Sequence, residues 1–362
     1  MDKGNIKTLN SYHVIFLVQQ SLIGVGLLSL PHTLAEVGYN LWYVPFIFGV
    51  VAQLTLIPMY LLGKNYPNQS IYEVFEQLLG KWVGKLLSLL LISYCVITVA
   101  SVAEFYVGIL QVGTLPHETM FLPTLAIFIV LVYIVQGGIK LVARFCIIAF
   151  LLTIWMTVYL QWGITKGAFT HLLPVFDMNL SDVLNTSKGS YNTMLGYELF
   201  LVYFPYIANQ QKSLKHASVG IWVSVSIYTI VCFTSVVYFT KGQLDLIKYP
   251  VLNLYKAVEL SFIERIETLG ISIWVFLTLS TIAIYLWAGK KGVAVLFNGD
   301  KKIHIYLLGA VAFAIILLPL FDQWEAELYE DVQPLAGYFF ILLPSFLLLL
   351  HFLKKVLVKE DG

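Results

Sequence analysis

The chain has 362 residues, 59% hydrophobic and only 12% charged, with a formal net charge of +1. Soluble domains carry about 25% charged residues, so this composition excludes a soluble enzyme and describes an integral membrane protein whose solvent is the lipid bilayer. The near-zero charge excludes a polybasic nucleic-acid surface; Cys95, Cys146 and Cys232, all inside apolar runs, offer no disulfide framework and no metal site.

The first ten residues are polar, and no small-residue cleavage site follows the first apolar run, which reads as a retained helix and not a signal peptide. Ten segments are expected to span the bilayer, each supplying roughly 20 apolar residues. They cover 12–35, 41–62, 82–112, 119–138, 141–163, 190–209, 217–240, 268–289, 303–321 and 335–353. The third is long enough to tilt.

Segment one is interrupted. Its sequence reads Ser21-Leu-Ile-Gly24-Val25-Gly26-Leu27-Leu-Ser-Leu-Pro31. Segment six carries a matching interruption, Met194-Leu-Gly196-Tyr197-Glu198. Broken helices at corresponding places in two halves point to a midplane binding site. Glycine there permits non-helical backbone and close approach of a ligand. The half-helix beginning near Leu27 is expected to offer N–H groups to a carboxylate, and the one ending near Ile23 to offer carbonyls to an ammonium. An α-amino acid carries both charges on one carbon, so an amino-acid-like ligand is favoured over a sugar. The candidate ligand residues are Gly24, Val25, Gly26, Leu27, Gly196, Tyr197 and Glu198.

In segment three, Tyr94, Thr98, Ser101 and Glu104 fall on one helical face. They form a candidate pore lining or proton path, because Glu104 and Glu198 are the ionisable residues well inside apolar segments. The connection 164–189 contains His171-Leu-Leu-Pro174-Val175 and is read as a loop. The connection 241–267 contains an amphipathic stretch, with Val251, Leu254, Tyr255, Val258 and Phe262 on one stripe and Lys256, Glu259, Glu264 and Arg265 largely off it. It reads as an interfacial helix over the outer mouth or as surface packing. Segment eight carries Thr278, Ser280 and Thr281, whose hydroxyls are candidate sodium ligands or helix–helix hydrogen bonds. An acidic run, Asp322, Glu325, Glu327, Glu330 and Asp331, precedes segment ten and reads as a solvated rim.

Lysine and arginine set the orientation. Sixteen of the 22 lie in the termini and the connections expected on the same side, which places both termini in the cytoplasm. Ten segments divide as five plus five, and odd blocks insert with opposite orientation. One transmembrane domain over 1–362 is expected, with inverted repeats at about 12–163 and 190–353. The chain lacks a phosphate-binding loop, a metal-spaced histidine pair and a nucleophile elbow, so neither enzyme chemistry nor a cofactor is expected.

Gly24-Val-Gly26-Leu-Leu-Ser-Leu-Pro31 resembles the first-helix motif of the amino acid–polyamine–organocation permeases. Gly196-Tyr197-Glu198 resembles their Gly-aromatic-acid break in helix six. Within that superfamily the whole chain is similar to the B subunits of bacterial spore germinant receptors, through its length, the Leu172-Leu-Pro174-Val175 connection and the terminal Leu342-Leu-Pro344 helix with its short basic tail. The resemblance implies an all-α leucine-transporter-like fold with broken helices one and six, in the spore inner membrane. It implies a subunit that binds a small nutrient, an amino acid or nucleoside, and triggers germination with A and C subunits. Some proton-coupled permeases place a lysine inside helix five. Here Lys140 and Arg144 stand only at the start of segment five, which favours a receptor over the alternative, an independent proton- or sodium-coupled amino acid transporter.

Overall fold

A computed structural model describes residues 8–114, 117–174, 180–260, 265–318 and 324–360. Nearly all of them are helical. The chain runs through α1 (Ser11–Leu22), α2 (Val44–Asn65), α3 (Ile71–Leu79), α4 (Lys81–Gly113), α5 (Phe121–Gln136) and α6 (Gly138–Thr153, continuing to Lys166 through a 3₁₀ stretch). It continues through α7 (Leu180–Ser190), α8 (Ser213–Tyr238), α9 (Lys241–Leu246), α10 (Pro250–Lys256), α11 (Ile266–Leu296), α12 (Ile303–Leu317) and α13 (Gln333–Glu360). Among the described residues, six helices are long and apolar enough to cross a membrane, and α5 and α12 are shorter apolar helices.

The layers follow from helix faces. α11 packs along α4 and α6, and α1 along α8 and α6, so α1 lies inside the bundle. Its residues Val14, Leu17 and Val18 are fully buried. Gly220 of α8 makes this possible, because a Cβ there would sit 2.5 Å from the Ile15 carbonyl oxygen. Large apolar side chains such as Leu54, Leu86 and Ile129 are exposed on the outside, as suits a bundle with lipid around it.

Contacts sort the connections into two ends. At one end, Leu9 pairs with residues 206–208, Leu9 N donating to Tyr206 O (2.9 Å) and Ala208 N to Leu9 O (2.9 Å). There, too, Lys354 Nζ donates to Leu78 O (2.7 Å), Tyr66 OH is hydrogen-bonded to His351 (2.7 Å), and Gln136 reaches Tyr306 OH (2.8 Å). Lys290 and Lys291 both reach Asp300 at this end, and the Lys291 ammonium lies over the Tyr206 ring. Burial alone would raise the Asp300 carboxyl; hydrogen bonding from Lys290 and the Lys291 charge outweigh it and hold the group below the usual carboxylate range. At the other end, His32 meets Leu244 O (2.7 Å), Lys166 meets Glu259 (2.5 Å) and His171 meets Val236 O (3.1 Å). The described parts of both termini therefore share one end, together with the connections rich in lysine.

Three sequence expectations change, and one alternative is decided. Segment six begins near 180, not 190: Leu180–Ser190 is helix. Its mixed polar sequence hides it from a hydropathy reading; Thr186, Gly189 and Ser190 on one side line a cavity. Segment eight extends to Leu296, so Lys290 and Lys291 stand inside its last turns. Of the two readings of the amphipathic stretch, packing is the one observed: it forms α10, and Val251, Leu254, Tyr255 and Val258 are buried against protein. Phe262 and Glu264 lie outside the described residues, as do Val175 and Asp322. α3 was not expected at all. Its signature was present: Ser70 and Glu73 form a capping box, with Ser70 N donating to Glu73 Oε2 at 2.6 Å.

The α1–α8 spacing gives a direct test. Gly220→Val should destabilise the protein by about 1–3 kcal/mol through overpacking, read as a lowered thermal midpoint in detergent. Gly242→Val, where an added Cβ meets nothing within 4 Å, should leave the midpoint near wild type.

Candidate ligand site

α1 ends at Leu22, where Ile23 turns extended (φ −83°, ψ 92°). After Gly24 the chain resumes only as a 3₁₀ turn, Val25–Leu28, and then Leu30–Thr33. Ending a helix strands its last carbonyls. Inside a bilayer each of them needs a partner from the protein. The partners come from two other helices. Thr281 Oγ1 of α11 donates toward Gln20 O (2.9 Å), and Tyr228 OH of α8 toward Leu22 O (2.5 Å). The carbonyls expected to await an ammonium therefore already have side-chain hydroxyls within hydrogen-bonding distance. The resumed half-helix is a four-residue turn, so its dipole is weaker than the sequence argument assumed.

The second interruption lies at Leu195 (extended, φ −71°, ψ 147°) and Gly196 (φ 129°). A Cβ on Gly196 would fall 2.3 Å from the Ser21 carbonyl oxygen. Glycine is required twice over, for its backbone angle and for this contact between the two breaks. Tyr228 OH also lies 2.8 Å from Thr193 O. One hydroxyl thus stands between a carbonyl of each broken helix, and with a single proton it serves one at a time.

Glu198 closes the far side of the second break. Its Oε2 accepts from Gly196 N (2.6 Å), and its Oε1 from Tyr94 OH (2.8 Å) and Tyr285 OH (3.0 Å). The carboxylate thereby caps the helix that resumes at Tyr197 and ties it to α4 and α11. Tyr197 turns away from the first break, its hydroxyl bonded to Thr55 (2.7 Å) and Tyr191 (3.1 Å).

A cavity of about 940 Å³ reaches the breaks from the end that carries α9 and α10. Gly24, Val25 and Gly26 line it, and so do Asn192, Thr193 and Leu195 from the sixth segment. Thr98, Ser101 and Glu104 line it as well, so three members of the predicted α4 stripe share this wall; the fourth, Tyr94, is buried behind it on Glu198. Gly196, Tyr197 and Glu198 also stand behind the wall, shaping it without forming it. Leu27 faces a separate small cavity of about 30 Å³, shared with Ile23, Gln19 and Trp274.

Of the candidate ion residues, Thr281 lines the large cavity. Ser280 Oγ donates to Gln20 Oε1 (2.7 Å), and Thr278 is buried with no partner for its Oγ1. Among the described residues no group of three His, Cys, Asp or Glu side chains is placed to hold a metal ion. Sequence reasoning missed Tyr228, Tyr285, Asn192 and Tyr338, the last donating to Asn192 Oδ1. A tyrosine hydroxyl in the middle of an apolar span demands a partner, and that was the available signal at Tyr228 and Tyr285.

This architecture is the leucine-transporter-like membrane fold. It matches MhsT, solved in complex with L-phenylalanine, with a TM-score of 0.67 and 17% identity, covering 91% of this chain and 88% of that one. It matches a Na⁺-coupled sialic acid symporter in its substrate-bound outward-open state with a TM-score of 0.70 and 12% identity, covering 92% and 78%. A family model described as spore germination protein matches residues 8–323. The chain belongs to the spore germination protein family. Among its relatives, Spore germination protein GerQB of Bacillus cereus is 26% identical over 86% of each chain, and Spore germination protein A2 of Bacillus subtilis (strain 168) is 24% identical over 96% of each.

The hydroxyl between the breaks is testable. Tyr228→Phe removes the hydroxyl between the Leu22 and Thr193 carbonyls, leaving Leu22 O only its contact with Gly24 N (3.1 Å), and should cost about 1–2 kcal/mol. Gly196→Ala combines a disfavoured angle with a backbone clash and should cost about 3 kcal/mol or more. Thermal midpoints of the purified variants should fall in that order, Gly196→Ala lowest.

Proposed function

We propose that this chain is the nutrient-sensing B subunit of a spore germinant receptor. The observation that carries the reading is the cavity whose wall is built from both interrupted helices, Gly24–Gly26 on one side and Asn192–Leu195 on the other, in a chain of the spore germination family. A small nutrient, an amino acid or nucleoside, would bind there at mid-membrane depth. The wall offers it backbone at Gly24 and Gly26 and neutral polar side chains, among them Ser101, Asn192 and Thr193.

Binding would act through population shift. The two breaks touch at Gly196 and share Tyr228, so a ligand held between them biases their relative position. That position is tied at the far end to residues 206–208, where Leu9 is paired. A and C partner subunits would read the change. Both termini would be cytoplasmic and the membrane that of the dormant spore, in line with the lysine-rich connections gathered at the terminal end. The halves at about 12–163 and 190–353 would be the two inverted repeats, the second beginning with α7 and so nearer 180. Independent coupled transport draws less support: the Thr281 and Ser280 hydroxyls are engaged with Gln20, and Lys140 and Arg144 stand at the first turns of α6, away from the break.

Gly26→Leu tests the site. A Cβ on Gly26 would lie 3.0 Å from the Thr193 methyl, so a leucine there fills the space between the breaks. Nutrients that raise the thermal midpoint of the wild-type protein should bind the variant at least about tenfold more weakly, and spores carrying it should lose the matching responses. Unchanged germination to every nutrient that depends on this protein would refute the assignment.

A further inference from the structure

We infer that an enclosed pocket behind the first break is a water-binding site, and that bound water there joins Gln19 of α1 to Trp274 of α11. The site is separate from the ligand cavity and does not depend on what that cavity binds.

The pocket is the small one of about 30 Å³ that Leu27 faces. α1 and the first break contribute Gln19, Ile23 and Leu27 to it, and α11 contributes Trp274 and Leu277. α6 passes alongside where it gives way to the 3₁₀ stretch Ile154–Tyr159, and adds Thr153 and Thr157. Gly24, Val25 and Gly26 line the large cavity instead, so residues of the first break line both spaces.

Much of the pocket is apolar, and a wholly apolar pocket stays dry. Two atoms change that. Gln19 is 1% exposed and Trp274 is 3% exposed. Gln19 Oε1 and Trp274 Nε1 are both buried, and neither has a hydrogen-bond partner in the protein. A bare amide oxygen or indole N–H in the interior carries its full desolvation cost. The two are complementary, because the first accepts and the second only donates. Water does both: one molecule can accept from Trp274 Nε1 and donate to Gln19 Oε1. Turning the Gln19 amide over would put its NH₂ group in the oxygen's place, and the water oxygen would then accept from both side chains.

The threonines extend the match. Thr153 Oγ1 donates to Ala149 O (2.8 Å) and Thr157 Oγ1 to Ile154 O (2.6 Å), so their protons are committed to their own helix and what remains to them is lone pairs. A water needs about 10–15 Å³ of such space, and the pocket therefore takes about two. A metal cation matches the site worse, because the Trp274 N–H would face it with its positive end. Bound water would thus tie the last turn of α1 to α11 beside the direct tie from Thr281 Oγ1 to Gln20 O.

The purified full-length chain tests this with Gln19→Leu, Trp274→Phe and the double variant. Each single substitution leaves the other polar group in a pocket that no longer matches it, and should lower the thermal midpoint by about 2 °C or more. The double variant removes both groups, and its loss should be well below the sum of the two single losses. Losses that add overturn the inference. A direct bond between the two side chains would also give non-additive losses, so an experimental wild-type map that resolves ordered water separates the two cases. The expected map shows a water within roughly 2.7–3.2 Å of both atoms. A pocket without water, or the two side chains bonded to each other, overturns the inference. Should the variants fail to fold, the wild-type map decides alone.

Discussion

Backbone that leaves a helix inside a bilayer must find partners within the protein. This chain breaks two helices face to face and brings a short set of side chains to both. Thr281 reaches a carbonyl of the first, Glu198 takes an amide of the second, Tyr228 stands between a carbonyl of each and serves one at a time, and Gly196 lets the two backbones touch. The supporting hydroxyls come from three other helices: Thr281 and Tyr285 from α11, Tyr228 from α8, Tyr94 from α4. The bundle packs as it does around that requirement. α1 is central because α8 and α11 must reach its carbonyls, and Gly220 lets α8 come close enough.

The wall of the large cavity follows from this arrangement. A straight helix would present side chains where the break presents Gly24 and Gly26. The extended residues Ile23 and Leu195 turn the chain away and leave room between the halves. Glu198, which by its place beside the break looks like a ligand group, faces the interior and holds the resumed helix in position. Its two tyrosine donors connect the back of the wall to α4 and α11. A ligand in the cavity would therefore press on a hydrogen-bonded frame and not on mobile loops, which suits a sensor that converts occupancy into a small shift between packed helices.

Much of this was legible in the sequence. The glycine interruptions marked both breaks, because few other residues tolerate that backbone. Hydropathy found the apolar spans, and the lysine distribution grouped the connections that the contacts gather at one end. The spacing of Thr98, Ser101 and Glu104 found one wall of the cavity. What stayed hidden has a common physical reason: pattern reports what faces lipid. Leu180–Ser190 turns Thr186, Gly189 and Ser190 to a cavity, and its polar residues hid a helix. Tyr228 and Tyr285 look like any aromatic in an apolar span until their hydroxyls meet Leu22, Thr193 and Glu198. Tyr197 and Glu198 were placed on the ligand side by adjacency to the break, but side-chain direction after a non-helical glycine cannot be read from neighbours. The inner helix α3 announced itself through Ser70 and Glu73, a local signal that the search for long spans passed over.

The central claim is that the facing breaks form the site a small ligand occupies. Hydrogen–deuterium exchange of the purified chain, with and without a nutrient that raises its thermal midpoint, tests it most directly. The account predicts slowed exchange concentrated in residues 22–28 and 191–199. Protection confined to other segments, with both breaks unchanged while ligand is bound, would contradict it.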